Sequence, residues 1–194
     1  MRGMDRSSEV LEFWFGAPGS PGHGEPREAW FKKDPAFDSE ISGRFRPLWH
    51  EAHAGAHADW ADVAHRCLSL IIVCDQFPRN MFRGDPRAFA TDPRALALAR
   101  HTIERGYDEA FSCCERLFAY LPFEHSETIE DQRLAVALHE AMPDHPKKAH
   151  WLDFAERHLR IVERFGRFPH RNATLGRAST PEEIEFLKQP GSSF

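Results

Sequence analysis

Apolar residues recur at helical spacing along nearly the whole chain, and no stretch alternates as a half-buried strand would. Asn-Gly and Asp-Gly steps, the strongest short hairpin signals, are missing. The chain therefore reads as all-α. Val10, Phe13 and Trp14 make a first stripe, with Ser7 or Ser8 as its cap. A Pro/Gly loop from Ala17 to Pro26 follows, and Asp34-Pro35 opens a second helix carrying Ile41, Phe45, Leu48, Trp49 and Ala52. A third helix is expected from about 61 to 75. Its stripe of Val63, Cys67, Leu70, Ile71 and Cys74, widened by Ala64, Leu68 and Ile72, marks it as central.

Asp92-Pro93 reads as N-cap and first helical position, and Gly106 as the matching C-cap. Helices near 109–120 and 126–142 flank Leu121-Pro122. The longest, near 147–165, turns Trp151, Phe154, His158, Ile161, Val162 and Phe165 to one side. Thr180-Pro181-Glu182-Glu183 is a capping box opening a short last helix. About eight helices in antiparallel pairs result, either stacked as an array or closed into a compact bundle. No strict repeat of about 34 residues is visible. The expected organisation is one domain over 1–194, with about 1–6 and 189–194 loosely ordered.

At 194 residues such a chain buries roughly 70% of the surface it would otherwise expose, so it needs no disulfide or metal staple. Cys67, Cys74, Cys113 and Cys114 form no C-x-x-C pair and read as reduced core thiols. The formal net charge of −5 supplies no basic field for nucleic acid or anionic lipid. The apolar run Leu68–Cys74 is too short to cross a bilayer, and Asp5, Arg6 and Glu9 argue against a secretory leader. The expected location is the cytoplasm.

Three segments differ from ordinary helix connections. They are Asp75-Gln76-Phe77-Pro78-Arg79-Asn80-Met81-Phe82-Arg83-Gly84, Leu121-Pro122-Phe123-Glu124-His125-Ser126-Glu127, and Arg164-Phe165-Gly166-Arg167-Phe168-Pro169-His170-Arg171-Asn172. Each sets a proline among aromatics beside dense ionisable groups. The first and third also align with one another after a single insertion, which suggests matching turns from which Arg and Asn meet an anion.

As a catalytic set, His125 and His170 are candidate general bases, with Glu124, Glu127 and Asp75 orienting them or acting as acids. Gln76, Arg79, Asn80, Arg83, Arg164, Arg167, Arg171 and Asn172 are candidate ligand-binding residues, the arginines holding a carboxylate or phosphate. The bland alternative is a structural network in which Arg79, Arg164 and Arg171 pair with Asp75, Glu124 and Glu127.

No nucleophile elbow, H-E-x-x-H, Cys/His ladder or glycine-rich phosphate loop occurs, so neither metal nor cofactor is expected. His50, His53 and His57 read as solvated, and His158 as a hydrogen-bonded core histidine. The expected partner is a small anionic molecule, with no nucleic acid and no membrane. An enzyme using the same cleft and a protein-interaction module are the alternatives.

The same segments carry a family resemblance. Phe13-Trp14-Phe15-Gly16, Trp30-Phe31, Leu70–Gly84, Ala88–Asp92, Phe118–Gln132, Phe165–Asn172, Leu175-Gly176-Arg177 and Ser179–Glu183 resemble the bacterial and fungal proteins grouped as domain of unknown function 924. The resemblance implies an all-helical fold similar to right-handed tetratricopeptide-like arrays, without their sequence signature. It implies no reaction and carries over no catalytic residue. Cys74 departs from the family pattern, which more often has Leu before Asp-Gln, and this is a core substitution.

Overall fold

The computed structural model describes residues 5–193. Among them lie eight α-helices and no strand: α1 (Arg6–Phe15), α2 (Pro35–His53), α3 (Ala64–Met81), α4 (Asp92–Glu104), α5 (Cys113–Glu124), α6 (Ile129–Ala141), α7 (Lys148–Phe165) and α8 (Pro181–Leu187). Short 3-10 turns stand between several of them. The expectation of loose order at residues 1–4 and 194 lies outside the described residues. None of the described helices is long and apolar enough to cross a membrane.

Packing divides the chain into two units. Unit 1 is Met1–Arg83 with Arg87–Pro122, and unit 2 is Gly84–Pro86 with Phe123–Phe194. The division falls inside α5, after Pro122.

Unit 1 is organised by α3, in which every residue from Cys67 to Pro78 is buried. It packs on α1, α2 and α4. Around it, Trp14 meets Phe77 and Phe118 edge-on, and Trp30 meets Phe118 at 4.8 Å between ring centroids. The same residues end α1. Arg27 Nη1 donates to the carbonyls of Phe13 and Trp14, Trp30 Nε1 donates to Trp14 O, and Gly16 turns the chain at φ +91°.

The expected helix boundary before Pro78 is wrong, because α3 runs on to Met81. Proline has no N–H to give the carbonyl four residues back, here that of Cys74. Thr91 Oγ1 donates to Cys74 O at 2.5 Å in its place, and Trp49 Nε1 in turn donates to Thr91 Oγ1 at 3.1 Å. A tertiary hydroxyl thus repairs the gap. Pro122 likewise lies within α5.

Two expected caps also move. Thr91, not Asp92, precedes α4, and Asp5, not Ser7 or Ser8, precedes α1. Asp92 is engaged elsewhere, as described below.

In unit 2, α6 packs on α7, whose buried face is Trp151, Ala155, His158, Ile161 and Val162. Ile161, Val162 and Phe168 form a core with Ile129, Phe165 and Phe186 against it. The capping box of α8 is present, Glu183 N donating to Thr180 Oγ1 and Thr180 N to Glu183 Oε2.

Candidate acid–base site

The first motif builds a charge network in unit 1. Asp75 is 1% exposed and accepts from Gln76 Nε2 at 2.6 Å. One helical turn on, Arg79 lies 3.3 Å from the same carboxylate and grips Asp92 with both Nη atoms, at 2.7 and 2.9 Å. Burial works to lower the Arg79 pKa, but Asp75 and Asp92 outweigh it and raise the group above its ordinary value. Arg83 grips Asp38 at 2.6 and 2.9 Å, and Asn80 donates to the same carboxylate. These guanidinium forks hold carboxylates of the chain itself, so an outside anion would have to displace one.

In unit 2 the outer members of the second and third motifs are likewise matched. Glu127 accepts from Arg177 at 2.7 and 2.9 Å and from the backbone N–H of Phe168 at 2.8 Å. Burial pushes the Glu127 carboxyl up, yet Arg177 and Phe168 outweigh this and hold it below the usual carboxylate range. Arg167 grips Glu183 at 2.7 and 2.8 Å, which with the Thr180 N–H drives Glu183 down to about 2. Arg164 pairs with Glu182. Asn172 donates to Ser179 and Glu183 and accepts from Arg177. The pairings expected for Arg164 and Glu127 therefore give way to others, made with residues that only the fold brings near.

The third motif does not repeat the geometry of the first. Phe77-Pro78-Arg79 is helix, whereas Phe168 is extended (φ −91°, ψ 105°) and Pro169–Arg171 form a 3-10 turn. The matching-turn expectation fails because Thr91 lets Pro78 stay helical.

What remains is a buried cluster around Glu124. Its carboxyl, at the end of α5, is 1% exposed. His139 of α6, 0% exposed, sets Nε2 3.2 Å from Oε1, and His158 of α7 sets Nδ1 3.4 Å from Oε2. Gln132 fastens the end of α5 by donating to the carbonyls of Glu124 and Ser126, both at 2.6 Å. Its own Oε1 is buried with no hydrogen-bond partner among the described residues.

Phe168 stands between further groups. His158 is 5.5 Å and His170 5.6 Å from its ring, and the Arg171 guanidinium lies 4.5 Å above it. Arg171 Nη1 donates to His125 O at 2.9 Å, and the rings of His125 and His158 are 6.4 Å apart. So Glu124, His125, His170 and Arg171 come together as the motifs suggested, while Glu127, Arg167 and Asn172 brace the loop beside them.

Hydrogen-bond chemistry assigns a proton here. His139 Nδ1 is 2.8 Å from Ala135 O, and a carbonyl only accepts, so Nδ1 carries its hydrogen. In a neutral ring Nε2 then presents a lone pair to a carboxylate oxygen 3.2 Å away. Two facing acceptors at that distance in a buried site repel, and a proton on either one relieves the repulsion. Burial pushes His139 down to about 4. Burial first, then the positive neighbours His125, Arg171 and His170, push His158 down to about 3, against the pull of Phe154 O.

Residues 10–191 match the family described as bacterial protein of unknown function (DUF924). The chain belongs to this family. A solved structure, that of the protein of unknown function ATU0120 from Agrobacterium tumefaciens, is 40% identical to this chain with a TM-score of 0.83. That similarity covers 94% of this chain and 97% of the other. No curated protein matches.

In this DUF924 chain, sequence reasoning missed His139 and Gln132. The signal was present: Gln132, Ala135 and His139 are spaced i, i+3, i+7 and share the buried face of α6. Polar residues on a buried helix face need partners, and that face supplies two to Glu124. His158 is the hydrogen-bonded core histidine expected, its Nδ1 2.8 Å from Phe154 O, and it also faces the carboxyl.

Proposed function

We propose that unit 2 is an acid–base centre for a small anionic molecule. The observation that carries this reading is the Glu124 carboxyl 3.2 Å from His139 Nε2, with both residues buried. A buried imidazole resists charge, which favours the proton on the carboxyl side, and passing it to His139 leaves an imidazolium beside a carboxylate, so the two charges stay paired. His158 steadies the second carboxyl oxygen. Arg171, His125 and His170 supply the positive side that an anion needs. Binding without turnover is the simpler form of the same reading and uses the same residues.

A screen of small carboxylates and phosphates tests it, read both by thermal shift and by the imidazole resonances of His139 and His158. A ligand at 100 times its dissociation constant stabilises the fold by about 2.7 kcal/mol. The expected result is an anion that stabilises the wild type, shifts both resonances, and loses its effect in Arg171→Lys. If no anion moves either readout, the cluster is a packing network and the reading fails.

A further inference from the structure

A different face of α7 carries a cavity. About 200 Å³ in volume, it is walled by Ile161, Phe165 and Phe186 and edged by Arg157, Arg160 and Arg164. The rings of Phe165 and Phe186 lie 4.9 Å apart, and the Arg164 guanidinium covers both, at 4.7 and 5.7 Å. Positions 157, 160, 161 and 164 follow i, i+3, i+4, i+7 and make one stripe. His158 and Val162 belong to the buried side, so the cavity and the Glu124 cluster draw on different residues.

The lining combines three permanent cations with an apolar wall, and among the described residues it contains no acid. The rim arginines differ in their pairing: Arg164 is held by Glu182 of α8 at 2.8 Å, and a phosphate there would share or displace that carboxylate. Arg157 is 3.9 Å from Asp153 and Arg160 is 3.3 Å from Glu156, all on the surface of one helix. Such exposed pairs contribute little, whereas a phosphate dianion offers guanidinium groups the bidentate geometry they match best. Gly191 closes the rim in a left-handed turn (φ +75°). The left-handed turn itself favours glycine, and the Arg157 guanidinium lies beside it.

We propose that this α7–α8 cavity binds a phosphate monoester with a flat apolar body, the phosphate held by Arg157, Arg160 and Arg164 and the body against Phe165 and Phe186. The volume suits a phosphate and one ring. The proposal is independent of the acid–base reading.

The test titrates phenyl phosphate and inorganic phosphate into the full chain, followed by backbone amide shifts. The expected result is perturbation around 157–165 and 186–191, with phenyl phosphate at least about tenfold tighter than inorganic phosphate. Arg160→Gln should weaken phenyl phosphate about tenfold, and Arg46→Gln, at an exposed arginine of α2 outside both sites, should leave it unchanged. Arg164→Gln also removes a pair to Glu182, so its melting curve is compared first. Arg160 is exposed, and Arg160→Gln carries the result should Arg164→Gln unfold. Equal affinity for the two probes, perturbation elsewhere, no binding at millimolar concentration, or an unaffected Arg160→Gln would each overturn the proposal.

Discussion

Asp75 in unit 1 and Glu124 in unit 2 are both carboxyl groups 1% exposed at the ends of strongly apolar helical runs, yet their charges are met differently. Asp75 faces Arg79, which cannot lose its proton and is itself tied to Asp92. Glu124 faces His139 and His158, which can. The first arrangement ties α3 to α4 through Arg79. The second faces groups that can take up and release protons, which is what the proposed acid–base centre requires. A buried carboxyl is thus informative mainly through the titration range of whatever faces it.

The largest expected effect separates the two directly. Arg79→Met leaves Asp75 and Asp92 without their shared cation and should cost about 3–5 kcal/mol in denaturant unfolding. Glu124→Gln should cost much less at pH 7, because the new amide can donate to His139 Nε2 in place of the carboxyl hydrogen. Equal losses would break the comparison.

Next comes pH. His139 and His158 are depressed to about 4 and about 3, while in the unfolded chain they ionise near 6.5. Below pH 6.5 the unfolded state binds more protons, so stability falls as pH drops toward 4 and then 3. These two groups contribute no slope above pH 6.5. The full loss is roughly 3 to 5 kcal/mol per histidine. In unit 1, burial raises the Asp38 carboxyl but Arg83 and Asn80 outweigh it and hold it below its ordinary value. Its contribution is lost only as pH falls below about 4. Hydrogen exchange resolved by residue should therefore show α6 and α7 loosening on acidification before α2 and α3 do. His158→Asn should flatten the earlier phase.

Two smaller effects sharpen the picture. Thr91→Val leaves Cys74 O and Trp49 Nε1 without their hydroxyl and should cost about 1–3 kcal/mol. Pro78 would then become the weak point of α3. Thr180→Ala removes the α8 cap for about 1 kcal/mol and should leave the His139 resonances where they were.

The helices were legible where local chemistry decides them. The span of α7 and the Thr180–Glu183 box stand almost residue for residue as the pattern indicates. Pro78 and Pro122 misled because a pre-proline rule describes an isolated backbone, and the Thr91 hydroxyl arrives from 17 residues away. The polar segments were legible as places where charge gathers, but their pairings were not. Arg83 finds Asp38 and Arg177 finds Glu127 across separations of 45 and 50 residues. His139 was missed for another reason: its buried stripe on α6, Gln132, Ala135 and His139, is mostly polar, and His139 lies outside the three motif segments.

The most direct test of the account is the tautomer and titration of His139 by nitrogen-15 NMR, in wild type and in Glu124→Gln. The account predicts hydrogen on Nδ1, Nε2 as an acceptor, and no protonation of the ring until about pH 4, together with a change at Nε2 in the variant. A hydrogen on Nε2 with Nδ1 bare, or a ring that titrates near its ordinary 6.5, would mean that the Glu124 carboxyl does not hold the proton. The acid–base reading of unit 2 would then be lost.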